Sequence, residues 1–260
     1  MIIIPINKYF LLRKLIYFAD RPSLKHGLFN SYIQSFSKIE IKGFKRNPFY
    51  TKLIDLSNPN LLESFNKETQ YEIRKSQNDG ILCKVSDDLS EFTLFYNEFA
   101  KEKNMSKQIS STELKKYGEA FILRNAYSTN GTLLVSHSYI ADWSIKRVRI
   151  LTSSSKIHNN NLDRADRKLI GRANRLLHYE DMIFFRNLGY LIYDFGGYAY
   201  ETQDQSLQGI NRFKDHFGGE LVEESNYESY LLYLIKCVMG FLKINANRFK
   251  PGKAKSQPIT

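Results

Sequence analysis

The sequence predicts an α/β fold, a mixed sheet with flanking helices, on three observations. Leu133, Val135 and Tyr139 alternate with polar neighbours, Asp142-Trp143-Ser144 turns the chain, and Val148, Ile150 and Thr152 continue a second strand, so Gly131 to Ser155 is an antiparallel hairpin. A helical period then runs from about Arg164 to Asn187, with Leu169, Ala173, Leu176, Leu177 and Phe184 on its buried face and Gly189 as its stop. That helix delivers the chain to Tyr190-Leu-Ile-Tyr-Asp-Phe-Gly-Gly197, an apolar strand that ends in an acid and two glycines. Helical and strand patterns alternate along the chain with no internal repeat.

The remaining elements follow from local signals. Lys8 to about Phe18 reads as an amphipathic helix that packs on the body of the protein or lies in a membrane interface. It is too short and too charged to span a bilayer, which takes roughly 20 apolar residues, and no signal-peptide cleavage pattern follows it. Asn58-Pro59 opens a helix with Leu62, Phe65, Thr69 and Ile73 on one face, Asp79-Gly80 ends it, and a strand from Ile81 to Val85 comes next. A helix covers Leu89 to Asn104 after an Asp87-Asp88 cap, and another spans Ser111 to about Asn125. Ser153 to Leu162 is a polar loop. Beyond Gly197 a glycine-rich loop leads to a last strand, Glu220 to Glu223, and a closing helix, Glu228 to Ile244. Lys250 to Thr260, basic and punctuated by proline, is expected to be disordered.

A chain of 260 residues with 42% hydrophobic content buries one large core or two small fused ones. Lys and Arg number 38 against 27 Asp and Glu, and the net charge of +11 favours an anionic partner: nucleic acid, a phosphorylated ligand or a membrane surface. Cys83 and Cys237 have neither metal-ligand spacing nor a disulfide framework, and read as small buried hydrophobes in a cytosolic setting. His137, His158, His178 and His216 lack zinc-like spacing, so no metal is expected. There is no Gly-x-Ser-x-Gly elbow for a covalent serine mechanism. Asp194-Phe-Gly196 lacks the upstream glycine-rich and His-Arg-Asp loops of a protein kinase.

The chemistry-bearing residues fall in two places. Arg164, Lys168, Arg172 and Arg175, spaced by four, four and three, line one face near a helix start, where unpaired N–H groups and the dipole favour an anion. Small residues within Lys168-Leu-Ile-Gly-Arg-Ala173 suit close backbone approach to a phosphate; the bland alternative is a solvated basic face. Asp194 stands at the carboxyl end of its strand, where it either orients a nucleophilic amine or caps the Gly196-Gly197 turn. Lys214 follows Phe213 in Gly209-Ile-Asn-Arg-Phe-Lys-Asp-His-Phe-Gly-Gly219 and is placed to meet a phosphate or an acyl-transfer oxyanion, with the Phe213 ring free to stack on a base.

In order, Ile54-Asp-Leu-Ser57, Tyr71-Glu-Ile-Arg-Lys-Ser76 with Gly80, Gly171-Arg-Ala-Asn-Arg-Leu-Leu-His-Tyr179, Tyr193-Asp-Phe-Gly-Gly197 and Gly209-Ile-Asn-Arg-Phe-Lys214 with Phe217-Gly-Gly219 resemble the FemAB-like branch of the GNAT acyltransferase superfamily. The resemblance covers roughly residues 50 to 235. It implies a GNAT-like mixed sheet in which an abbreviated first subdomain, residues 1–85, is fused to a complete second one, 86–248, ahead of a basic tail, 249–260. It also implies transfer of an aminoacyl or acyl group to an amine of a peptidoglycan or polysaccharide precursor. The donor would be aminoacyl-tRNA or acyl-CoA, with no tightly bound cofactor. Lys214 inherits a role at the oxyanion, with Asp194 orienting the amine. Lys168, Gly171, Arg172, Ala173, Arg175 and Phe213 would receive the donor, and Arg74, Lys75, Gly196, Gly197, His178 and Tyr179 the substrate. The expected location is cytoplasmic, with peripheral contact at the inner face of the membrane.

The chain departs from that family in its short first part, in lacking the long charged helical hairpin of some tRNA-dependent relatives, and in having Lys168 where a CoA-type pyrophosphate loop starts with Gln or Arg. Two other functions fit the same residues. One is an acyl-CoA-dependent N-acetyltransferase for a nucleotide-linked amino sugar; the other is a non-catalytic RNA or membrane-surface binder.

Overall fold

The computed structural model describes residues 1–8, 11–106, 108–158 and 162–248. The predicted tail, 249–260, and the three asparagines of the polar loop, 159–161, lie outside them. Its first two elements correct the expected N-terminal helix: β1 (Ile2–Lys8) and β2 (Leu11–Tyr17) pair antiparallel, Ile2 opposite Tyr17. Helical and strand periods are hard to tell apart over so short an apolar run, and the Ile2-Ile3-Ile4 stretch supplies a strand partner that decides the matter. β3 (Asn30–Ser35) joins β2 in parallel, and β4 (Phe44–Asp55) is the longest strand.

α1 (Lys67–Asn78) starts later than Asn58-Pro59 suggests, because Asn66 is the residue whose side chain accepts from the Thr69 N–H at 2.8 Å. It ends as expected at Gly80, which takes a φ of +73°. β5 (Leu82–Ser86) and α2 (Leu89–Glu102), capped by Asp88, follow as predicted. The helix expected from Ser111 to Asn125 is a further correction. α3 (Ser111–Lys115) stops after five residues, Gly118 turns the chain at positive φ, and β6 (Phe121–Tyr127) pairs with β5 and with β7 (Leu133–Asp142).

β7 and β8 (Arg147–Ser155) form the predicted hairpin, and α4 (Arg164–Asn187) has the predicted bounds, with Asp163 as its cap. β9 (Ile192–Tyr198) continues through the glycine pair. The supposed glycine-rich loop is α5 (Gln205–Asp215), started by Asp204, whose carboxylate accepts from the Leu207 N–H at 3.0 Å. β10 (Glu220–Ser229) outruns its expected length, and α6 (Tyr230–Arg248) follows it directly.

The ten strands of the described residues join one mixed sheet in the order β1-β2-β3-β10-β4-β9-β8-β7-β6-β5. β9 lies inside it, antiparallel to β4 and parallel to β8. The largest core packs α4, through Ile170, Ala173, Leu176 and Leu177, onto Tyr139, Val148 and Tyr193 of the sheet. Parallel pairing of β8 with β9 runs only from Arg147–Ile192 to Arg149–Asp194, although β8 continues to Ser155 and β9 to Tyr198. The pairing of the two strands therefore ends at Asp194, α4 being the crossover that connects them in sequence, and open α/β sheets bind ligands at such carboxyl ends.

Candidate functional site

β9 places Asp194 in a fully buried ionic cluster. Its Oδ2 accepts from Arg147 Nη2 at 2.6 Å and Gln34 Nε2 at 2.8 Å; its Oδ1 accepts from the Gly196 N–H at 2.7 Å and from the Thr51 hydroxyl. Arg147 also donates to Glu224 at 2.6 Å, so one guanidinium bridges two buried carboxylates. Burial by itself raises the Asp194 carboxyl, but Arg147, Arg149 and the Thr51 hydroxyl outweigh it and hold the pKa below the ordinary value. Glu224, for which burial wins, is raised.

Gly196 joins this cluster to Lys214. It sits at a φ of +66°, and a Cβ there would lie 3.1 Å from the Ile150 carbonyl oxygen, so the turn needs glycine. Its N–H is held by Asp194, and its carbonyl accepts from Lys214 Nζ at 3.4 Å, with the oxygen of Thr51, whose proton goes to Asp194, 2.9 Å away. Lys214, in the last turn of α5 and 9% exposed, also donates to the Gly197 carbonyl. Burial lowers its pKa to about 8, with Asp194 opposing and Arg149 adding to the shift. An ammonium has three N–H donors, so the two glycine carbonyls leave one to give.

The opposite face of β9 carries a second buried network. The Tyr139 hydroxyl donates to Asp181 at 2.5 Å and contacts the Tyr193 hydroxyl at 2.8 Å, which contacts His178 Nδ1 at 2.7 Å. With the Tyr139 proton committed to Asp181, Tyr193 must donate to Tyr139 and accept from His178, which puts the imidazole proton on Nδ1 and leaves Nε2 a bare acceptor. Burial, then the neighbouring His137, Lys214 and Arg175, hold the His178 pKa well below its ordinary value. The His178 ring packs 5.5 Å from that of Phe213, and the Arg175 guanidinium lies 5.4 Å from the other partner of that contact, Phe213.

Arg175 also lines a groove of about 540 Å³ between α1 and α4, with Lys75, Arg164, Lys168, Gly171 and Arg172. Arg172 is tied to Asp79 at 2.7 Å. A second groove, of about 460 Å³, lies beyond the end of β9 and is walled by Tyr198, Tyr200, Asn211 and Asp215. The structure thus gathers Asp194, Gly196, Gly197, Phe213, Lys214, His178 and Arg175 into one neighbourhood and strings Lys75, Lys168, Gly171 and Arg172 along the adjoining groove. Three expected site residues lie elsewhere. Ala173 is buried in the core, Tyr179 packs edge-on to Phe65, and Arg74 is exposed outside the residues that line the groove. Of the cysteines expected to be buried, Cys83 is half-buried and Cys237 exposed.

Sequence reasoning missed Arg147 and Arg149. Their signal was two arginines at alternate positions of an apolar strand, hence on one face of the sheet. Arg149 points the same way as its neighbour: its Nε is buried without a hydrogen-bond partner, 3.8 Å from where a Gly196 Cβ would sit. Among the described residues no three His, Cys, Asp or Glu side chains cluster as metal ligands would.

No protein-family model matches the sequence, and no curated protein matches it either. Solved structures do. The C-terminal domain of a putative lysylphosphatidylglycerol synthetase from Agrobacterium fabrum superposes with a TM-score of 0.60 at 12% identity, covering 87% of this chain and 82% of that one. FemX gives 0.58 at 14% identity over 79% and 67% of the two chains. L-PGS from Bacillus licheniformis gives 0.54 at 11% identity over 83% and 77%. The chain shares its fold with FemX and with these lysylphosphatidylglycerol synthetase structures, in keeping with the resemblance of the sequence segments.

Proposed function

We propose that the protein is an acyltransferase that moves an aminoacyl or acyl group from an ester or thioester donor to an amine of a cell-envelope precursor. One observation carries this reading: a lysine ammonium fixed on the Gly196 and Gly197 carbonyls just beyond the point where the pairing of β8 with β9 ends, beside a cationic groove. In this reading the groove of Lys75, Lys168, Arg172 and Arg175 takes the phosphates of aminoacyl-tRNA or acyl-CoA, and Phe213 packs on the donor's reactive end. The amine attacks the acyl carbon directly. Negative charge developing on the carbonyl oxygen meets the free N–H of Lys214, and collapse of the tetrahedral species breaks the bond to the donor's oxygen or sulfur, which leaves as hydroxyl or thiol with the proton that His178 has taken from the amine. His178 Nε2, neutral and held by Tyr193, is the base that takes the proton released by the amine.

Asp194 acts one step back, as a positioning residue. Both of its oxygens are occupied, so it sets the Gly196 turn that Lys214 grips instead of reaching an amine itself. The fold shared with lysylphosphatidylglycerol synthetases, named for an aminoacylated envelope lipid, supports an envelope acceptor. The test is retention of label on incubation with radiolabelled acetyl-CoA and, separately, with charged tRNA. Saturable retention of one donor, with turnover lost in Lys214→Ala, is the expected result. Salt-sensitive RNA binding without transfer, unchanged by Lys214→Ala, would make the protein a non-catalytic binder instead.

A further inference from the structure

α6 turns an apolar face to the outside. Tyr230, Leu231, Leu234, Cys237 and Val238 recur at helical spacing and are all exposed, Leu234 and Val238 by 58% each. Leu232 is fully buried and Ile235 and Met239 are half-buried, so the helix rests on the body by its other side. The stripe continues onto the loops beneath the start of the helix. The Tyr230 N–H donates to the Gly43 carbonyl at 3.0 Å, the Ser229 hydroxyl donates to the Leu28 carbonyl, and a Cβ on Gly43 would touch Leu24 at 3.9 Å. Leu24 and Leu28 are themselves exposed. Surface apolar residues scattered singly need no explanation, whereas seven sharing one corner do.

The charges around this corner are predominantly positive. Residues 24–45 carry Lys25, Lys38, Lys42 and Lys45 against the single Glu40. From Tyr230 to Thr260 the sequence has six Lys and Arg and no Asp or Glu. Lys45 lies 3.7 Å from the Tyr233 ring, and Lys236 pairs with Glu228 at the base of the helix. A second copy of this chain docking the same face would oppose these cations to themselves. An anionic bilayer instead offers an apolar boundary beneath a negative surface, the combination this face matches.

We propose that the outer face of α6, with Leu24 and Leu28, seats on an anionic membrane surface, its apolar side chains at the acyl boundary and its lysines among the headgroups. No helix among the described residues is long and apolar enough to cross a membrane, so the contact is one of lying on the surface. It stands apart from the transferase reading, because neither the Lys214 turn nor the α1–α4 groove takes part.

Vesicle co-sedimentation of the full chain tests it, with phosphatidylcholine vesicles and with vesicles holding about a third phosphatidylglycerol. The expected result is partitioning at least about tenfold stronger onto the anionic vesicles, weakened at about 0.5 M salt and abolished in Leu231→Glu/Leu234→Glu/Val238→Glu. Lys25→Glu/Lys42→Glu should remove much of the salt-sensitive part. Failure to bind anionic vesicles, or equal binding by the triple variant, overturns the proposal. So does a dimer in light scattering that the triple variant dissolves while neither form binds vesicles, which would assign the face to self-association. Should the triple variant not fold, Leu234→Trp decides: a blue shift of the added emission on anionic vesicles supports the contact, and unchanged emission overturns it.

Discussion

The two faces of β9 hold buried polar networks of opposite kind. Asp194 and Gly196 look toward a cluster of full charges, in which Arg147 bridges two carboxylates and Gln34 and Thr51 fill the remaining positions. Tyr193, one residue away and on the other face, enters a chain of hydroxyls and imidazoles that ends at Asp181 and Arg124. The first network pairs both oxygens of Asp194, leaves the buried Gln34 Oε1 without a partner, and fixes a backbone turn. The second is built of groups that exchange protons, and it reaches the neighbourhood of Phe213 and Lys214. A rigid frame on one side and a proton-bearing chain on the other is a division of labour that a transferase can use, and each half fails in its own way.

Removing Arg147 should have the largest effect on stability. Arg147→Ala leaves Asp194 and Glu224 buried without a counter-charge, which costs about 3–5 kcal/mol in urea unfolding. The deficit should narrow on acidification. In the parent, Asp194 has a depressed pKa, so its contribution is complete above the ordinary carboxylate range and is lost as pH falls through the folded value. In the variant both carboxyls are raised, so the folded state takes up protons first and gains stability relative to the parent as pH falls. A deficit that does not change with pH would mean the two acids are already neutral in the parent.

Lys214 sits where the two networks meet, and its loss should show in turnover. Lys214→Ala is expected to lower kcat by about 10²- to 10³-fold, the usual effect of removing one oxyanion donor. A cation is needed, so the rate should fall as pH rises through about 8, where the parent lysine loses its proton. Lys214→Arg should move that alkaline limb upward while keeping part of the rate, an outcome that a purely structural role would not give.

The fold was legible wherever the decisive contacts are local. α4 follows from its own period and cap, and the β7–β8 hairpin from alternation around one turn. β1, β2 and β6 were not, because each is a short apolar run whose conformation is fixed by a partner strand. The same rule divides the site. Glycine pairs and the Phe213-Lys214 step announce their backbone needs within a few residues. The partners of Asp194 come from β3, β4 and β8, with Gln34 lying 160 positions away in sequence. The proton on His178 Nδ1 follows only from Tyr139 and Tyr193 lying side by side.

On the proton-bearing face the expected loss is smaller. Tyr139→Phe keeps the ring and removes one hydroxyl between Asp181 and Tyr193, costing about 1–2 kcal/mol in unfolding. Tyr193 is then free to donate to His178, which would turn the imidazole to the other tautomer and occupy Nε2 with the proton. Turnover should therefore drop at all pH values without a change in KM, and His178→Gln should abolish the difference between the Tyr139→Phe variant and its parent.

The smallest effect belongs to Lys168, an exposed residue and one of several cations in the groove. Lys168 makes no bond that shapes the turn or the relay, and it shares the groove with Lys75, Arg164, Arg172 and Arg175. If it meets a donor phosphate, Lys168→Ala should weaken donor binding by a few fold and lower the salt slope of binding by about one, with kcat and unfolding unchanged. Arg172→Ala is the sharper control, because it also frees Asp79, whose carboxylate would then repel the phosphates. The loss for Arg172 should exceed that for Lys168 at low salt and approach it at high salt. Equal salt slopes for the parent and both variants would show that phosphates do not enter this groove, and the donor would have to be sought in the second groove at the end of β9.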